Sequence, residues 1–215
     1  MNGDELECVK NTKYLGATIS EDLSWTAHTE QAAGKAHGML AFLQRNLWML
    51  PVRLREKAYL TIVRPGLEYA SSITDPYLKK DTKKLEDVQR HAARFVTNNP
   101  LRRFNAETEQ VSVTSLLDDL GWQTLKERRK NARCTLMFRV REDLVAVPEE
   151  FKPRQPNTHL RSSHRNTVLS TKKSKVDSHH YSFIPRTSRD WNRLPLSART
   201  ADTLEGFKAA LQPLV

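Results

Sequence analysis

LEDVQRHAARFV, from Leu85 to Val96, decides the fold class. Leu85, Val88, Ala92 and Phe95 recur at steps of three, four and three, which places them on one face of a helix, while Lys83, Arg90 and Arg94 point elsewhere. Such a helix needs a core on one side and offers cations on the other. Asp81 stands where an N-cap is expected, and Pro100, behind Asn98-Asn99, closes the segment.

Upstream lie two more segments of the same kind. Val52 to about Ser72 carries Leu54, Ala58, Ile62 and Tyr69 on one side, and Pro65, which lacks an amide donor, predicts a break near Val63 and Arg64. From Ser24 to about Trp48, the run Ala33, Ala36, Leu40, Leu43 and Leu47 is the pattern of a helix packed on another helix. Gly34 and Gly38 cost this helix about 1 kcal/mol each relative to Ala unless close helix contact compensates. Before it, Glu5 to Lys10 and Lys13 to Ser20 read as a hairpin turning at Asn11-Thr12, with Val9, Tyr14, Thr18 and Ile19 as strand formers. Two strands alone are marginal in water, so they must lean on the helices or on protein outside this sequence.

Downstream, a polar loop leads to a short helix, Val113 to Leu120, stopped by Gly121. Trp122 opens the next element, a helix ending near Leu144 and striped by Leu125, Ala132, Leu136 and Val140. Lys126, Arg128, Arg129, Lys130, Arg133, Arg139 and Arg141 make it strongly basic. From Pro148 to His179 prolines and small polar residues predict an irregular, poorly ordered connector, cationic through Lys152, Arg154, Arg161, Arg165, Lys172, Lys173 and Lys175. A compact tail resumes at Tyr181 and closes with a helix from about Thr203 to Leu211, where Asp202 and Glu205 have capping-box spacing.

The chain of 215 residues is long enough to bury a core, and its formal charge of +10 favours a polyanionic partner. No apolar run is long enough to span a bilayer and no signal peptide is visible, so nucleic acid is the expected partner and a membrane is not. Cys8 and Cys134 lack metal or disulfide spacing, which fits a reducing, intracellular compartment, nuclear or cytoplasmic. Asp118 and Asp119 are the one pair that could hold metal ions for nucleotidyl transfer, but at the end of a short helix before a capping glycine they read as solvated carboxylates. His159, His164, His179 and His180 cluster in the connector without a cysteine or a helical HExxH pair and read as polar loop residues, so neither metal nor cofactor is expected. Tyr77, Phe104, Trp122 and Trp191 border basic stretches and could stack on bases, although Trp122 and Trp191 read first as core. The expected phosphate contacts are Lys83, Lys84, Arg90 and Arg94 on one helix and Arg128, Arg129 and Arg133 on the later one.

Several blocks in order carry a resemblance. KYLGATISEDLSWTAH (Lys13 to His28), VRPGLEYASSITDPY (Val63 to Tyr77), LEDVQRHAARFVTNN (Leu85 to Asn99), SVTSLLDDLGWQTLKERR (Ser112 to Arg129) and SFIPRTSRDWNRLP (Ser182 to Pro195), with a closing FKAAL (Phe207 to Leu211), resemble the C-terminal region of non-LTR (LINE-type) retrotransposon reverse transcriptases. By that resemblance Tyr14-Leu15-Gly16 belongs to the last palm strand, and the helices to about Leu144 form the thumb, which holds the template and primer duplex. The endonuclease, the fingers and the aromatic-x-Asp-Asp palm turn would precede Met1.

The resulting expectation is a mainly α fold: a palm-edge hairpin remnant (residues 1–23), a helical thumb-like bundle (24–147), a basic irregular connector (148–180) and a small C-terminal segment (181–215). Its expected function is that of a truncated reverse transcriptase fragment, binding RNA or DNA non-specifically without catalysis and without a small-molecule substrate. The palm and fingers region is a further possible partner. The alternative is a helical protein-interaction module.

Overall fold

The structure, a computed structural model, describes residues 8–97, 113–155, 167–171 and 174–211. Expectations at Asn98-Asn99, Pro100, Phe104, His159, Arg161, His164, Arg165, Lys172 and Lys173 lie outside the described residues. The fold is mainly helical behind a two-stranded antiparallel hairpin. Its contacts define two compact units, one made of the residues up to Ala70 with Thr74–Lys126, the other of Ser71–Ile73 and the residues from Glu127 on. The division falls at Lys126, near the start of a helix.

In the first unit β1 (Asn11–Tyr14) pairs with β2 (Ala17–Ser20), Tyr14 opposite Ala17. The turn is therefore Leu15-Gly16, not Asn11-Thr12, and Asn11 and Thr12 lie in the strand. Both turn residues have positive φ, 45° and 83°, the backbone of a two-residue type I′ hairpin whose twist matches the strands. Glycine suits that backbone; the sequence signal was obscured because leucine occupies the first position. The hairpin leans on helices, as its size requires. The Thr18 N–H donates to His28 Nδ1 (3.3 Å), and the Tyr69 hydroxyl donates to the Leu15 carbonyl (2.7 Å).

Helix α1 (Thr26–Leu47) buries Ala33, Ala36, Leu40 and Leu43 of the expected stripe, and Leu47 packs partly buried against the same core. Gly34 and Gly38 have no close neighbour, since a Cβ on either would meet nothing within 4 Å. The break forecast at Pro65 takes a specific form. Helix α2 (Val52–Ala58) widens into a π turn (Tyr59–Val63), then continues as α3 (Arg64–Glu68) with Pro65 in its first turn. The Arg64 N–H reaches back five residues to the Tyr59 carbonyl, so the ladder loosens just where the proline ring would crowd it. The buried face consists of Arg55, Tyr59, Val63 and Leu67, while Leu54, Ile62 and Tyr69 are about half exposed. This corrects the expected stripe: the widened turn favours a strict step of four, which a periodicity search for 3.6 passes over.

Helix α4 (Lys79–Val96) begins two residues before Asp81. Asp81 is therefore not the N-cap; it is fully buried in the first turn and accepts a hydrogen bond from Thr26 Oγ1 (2.7 Å). Leu85, Val88, Ala92 and Phe95 face the core as their spacing requires. At the far end Arg55, 3% exposed, donates to the Phe95 carbonyl (2.8 Å) and lies over the Phe95 ring, so a buried guanidinium closes the last turn of α4. Burial lowers its pKa. Helix α5 (Val113–Asp119) ends in a Schellman motif: Gly121, φ 63°, donates to the Asp118 carbonyl and Trp122 to that of Leu117. Trp122 is core, stacked on Tyr59 at 4.7 Å with its indole N–H on Glu56.

Helix α6 (Leu125–Arg141) receives its N-terminal cap from another helix. Glu86 of α4 accepts the backbone N–H groups of Leu125 (3.3 Å) and Lys126 (2.7 Å). The buried positions along α6 include Leu125, Arg129, Arg133, Cys134, Met137, Phe138 and Val140, whereas Ala132 and Leu136 are only half buried. In the second unit α7 (Asp177–His180), α8 (Phe183–Asn192), α9 (Leu196–Arg199) and α10 (Leu204–Leu211) follow. Trp191 is its centre, stacked on Phe207 at 5.3 Å, and Phe207 in turn on Phe138 at 4.7 Å.

Residues 148–155 hold one 3₁₀ turn, Glu149–Phe151, and are otherwise irregular, as expected. Residues 167–171 are nevertheless tied down. Asn192 exchanges two hydrogen bonds with the backbone of Leu169, and the Trp191 indole donates to the Thr167 carbonyl. At α10 the cap is Thr203, not Asp202: its Oγ1 accepts the Gly206 N–H (3.1 Å), one residue later than the capping-box reading put it.

Candidate nucleic-acid interface

The outer face of α4 is built by the same periodicity that builds its core face. Lys79, Lys80, Lys83, Arg90 and Arg94 are all exposed, and at 100° per residue they fall on one side of the helix. Lys83 and Arg94 are separated by about 16 Å along the axis. The burial of Leu85, Val88, Ala92 and Phe95 fixes the direction of this row, because rotating the helix would expose its core. Lys79 and Lys80 give no such signal in the sequence, because Asp81 reads as the cap and leaves them outside the helix.

Local charges decide how much of the row is available. Lys84 is engaged by Glu30 of α1, and the pairing lowers the Glu30 pKa and raises that of Lys84. Arg90 shares its guanidinium with Asp87 at 3.1 Å. Among the described residues, no carboxylate forms an ion pair with Lys79, Lys83 or Arg94. Cations in the N-terminal half run against the helix dipole, which favours acids there, and the only acid in the first turn, Asp81, is buried.

The expected contacts on α6 divide differently. Arg128 is half exposed. Arg129 and Arg133 are 2% and 3% exposed, so neither offers its guanidinium to a surface ligand in this fold, and both leave the list of phosphate contacts. Arg133 forms a buried ion pair with Asp190 at 3.0 Å. Their place in the core was hidden because arginine at a core-facing step looks, in sequence, like a solvated face. Lys84 is the remaining adjustment, a structural link between α1 and α4.

Asp118 and Asp119 are both exposed at the end of α5. Tyr77 is half buried, while Trp122 and Trp191 lie inside, with their ring faces on Tyr59 and Phe207. Of the connector histidines, His179 is exposed and His180 packs edge-on to Tyr181. Among the described residues no three His, Cys, Asp or Glu converge on one point, and no helix is long and apolar enough to cross a membrane. No family model, curated protein or solved structure matches the chain.

Proposed function

We propose that this chain is a thumb-like region of a non-LTR retrotransposon reverse transcriptase and that it binds RNA or DNA non-specifically, without polymerase chemistry of its own. The observation that supports this reading is the row of exposed cations on α4, held in direction by a buried apolar face, with Lys79, Lys80 and Lys83 placed against the helix dipole. Such a row positions phosphates without reading bases. Salt dependence tests it. Five phosphate contacts on a duplex give log K against log salt a slope of about −4 to −5. Replacing Arg90 and Arg94 with Glu should lower affinity and reduce that slope by about 2, with helix content unchanged because no buried apolar residue is altered. Unchanged affinity would remove α4 as the binding face.

A second reading, a helical protein-interaction module, rests on apolar side chains exposed where α1 gives way to α2. Phe42, Trp48, Met49 and Leu54 are each about half exposed or more. An interface of that kind changes little with ionic strength. A flat salt slope for the unmodified chain would therefore favour this second reading.

The absence of chemistry is testable on its own. Primer extension with Mg²⁺ or Mn²⁺ should match a blank. Extension that Asp118→Ala abolishes would make that carboxylate pair catalytic.

A further inference from the structure

We propose that His37 and His91 form a two-histidine site for a divalent transition metal, Zn²⁺ or Cu²⁺, that clips α1 to α4. The two helices run in the same direction at a steady offset. Thr26 meets Asp81, Glu30 meets Lys84 and, seven residues further along each helix, His37 meets His91. The imidazole centres are 5.4 Å apart with their planes tilted by 56°. A ligating ring nitrogen lies about 2.0–2.1 Å from zinc, which puts each ring centre about 3.2 Å from the ion, and a tetrahedral angle then separates two such centres by about 5 Å. The pair stands close to that spacing.

The surroundings suit a bound ion. Ala36, Leu40, Val88 and Ala92 lock the two backbones against each other, so little ordering is left for the ion to impose. Both rings are exposed. Gly34 and Gly38, three residues before and one after His37, have nothing within 4 Å of where a Cβ would stand, so no side chain from α1 crowds that stretch of the helix. Two glycines in a helix with no packing reason break a local rule, as functional sites do. Asp87, one turn before His91, is held by Arg90, and no third protein ligand joins the pair among the described residues. Water or an outside oxygen would complete the coordination, as in exchangeable sites, and imidazole donors suit Zn²⁺ and Cu²⁺.

The test is urea unfolding of the intact chain with and without Zn²⁺. At free Zn²⁺ ten times its dissociation constant, the folded-to-unfolded ratio should rise about 11-fold. His37→Asn and His91→Asn should each abolish that rise and leave the circular dichroism of the metal-free chain unchanged, because both positions are exposed. The double variant should lose no more than either single one. A His179→Asn, His180→Asn variant should keep the rise, and acid should erase it as protons replace the metal on imidazole. With Cu²⁺, electron paramagnetic resonance should report two nitrogen ligands lost with either substitution. No Zn²⁺-dependent rise in the unmodified chain, or a full rise surviving in either single variant, would overturn the proposal.

Discussion

At the scale of single residues, four positions contribute in ways their neighbours in sequence do not. Thr203 holds the Gly206 N–H at the start of α10, so Thr203→Ala should cost about 1 kcal/mol, and Asp202→Ala much less. Equilibrium unfolding of the two variants separates them; equal losses would restore the capping role to Asp202. Gly34 and Gly38 face open space in the middle of α1, so either Gly→Ala change should stabilise the chain by up to about 1 kcal/mol. Cys134 is buried, and burial pushes its thiol up to about 12 from the 9.0 of an exposed thiol. The folded state therefore keeps this proton where the unfolded chain has lost it. The associated stability is fully present below pH 9 and declines as pH rises through 9 to 12, and Cys134→Ala should remove that share of the alkaline loss. Under native conditions a thiol reagent should modify exposed Cys8 and spare Cys134.

At the scale of elements, helix ends and faces are set by residues far away in sequence. Arg55 on α2 closes α4, so Arg55→Ala should cost about 2–3 kcal/mol, while Arg53→Ala, at an exposed position, should cost almost nothing. Chemical denaturation of the two variants checks the contrast. The same dependence limits what the sequence discloses. The stripes of α1 and α4 were legible because alanine, leucine and phenylalanine at helical steps admit one reading. The inner faces of α2 and α6 were not, because they include Arg55 on α2 and Arg129 and Arg133 on α6, and burial of Arg55 and Arg133 rests on the Phe95 carbonyl and Asp190, remote in the chain. The caps followed the same division: Gly121 was recognisable from its own neighbourhood, whereas the cap of α6 comes from Glu86, 39 and 40 residues before the amides it receives. Of the candidate interface, Lys83, Arg90 and Arg94 were visible by periodicity, and Lys79 and Lys80 required the true start of α4.

At the scale of the molecule, each unit has an aromatic centre, Tyr59 on Trp122 in one and Trp191 on Phe207 in the other. Trp191→Ala should cost about 3–5 kcal/mol and shorten amide protection in α8 to α10, a pattern that hydrogen exchange resolves residue by residue. Removing the carboxylate of Asp190 leaves the Arg133 charge buried, and Asp190→Ala should cost a similar amount. Across the whole chain, the widened turn at Tyr59–Val63 acts as a stored insertion. An α-helix advances 100° per residue, so Arg55 to Leu67 would drift by about 120° around a regular helix, yet all four residues at steps of four from Arg55 to Leu67 are buried. The surplus residue is absorbed ahead of Pro65, which cannot donate to a regular ladder. Deleting one residue among Leu60 to Ile62 together with Pro65→Ala should let the segment close into a continuous α-helix that still delivers Leu67 to the core. The same deletion with Pro65 retained should not. In genetic terms this is a site where a single-codon loss is tolerated only with a compensating change three to five codons downstream.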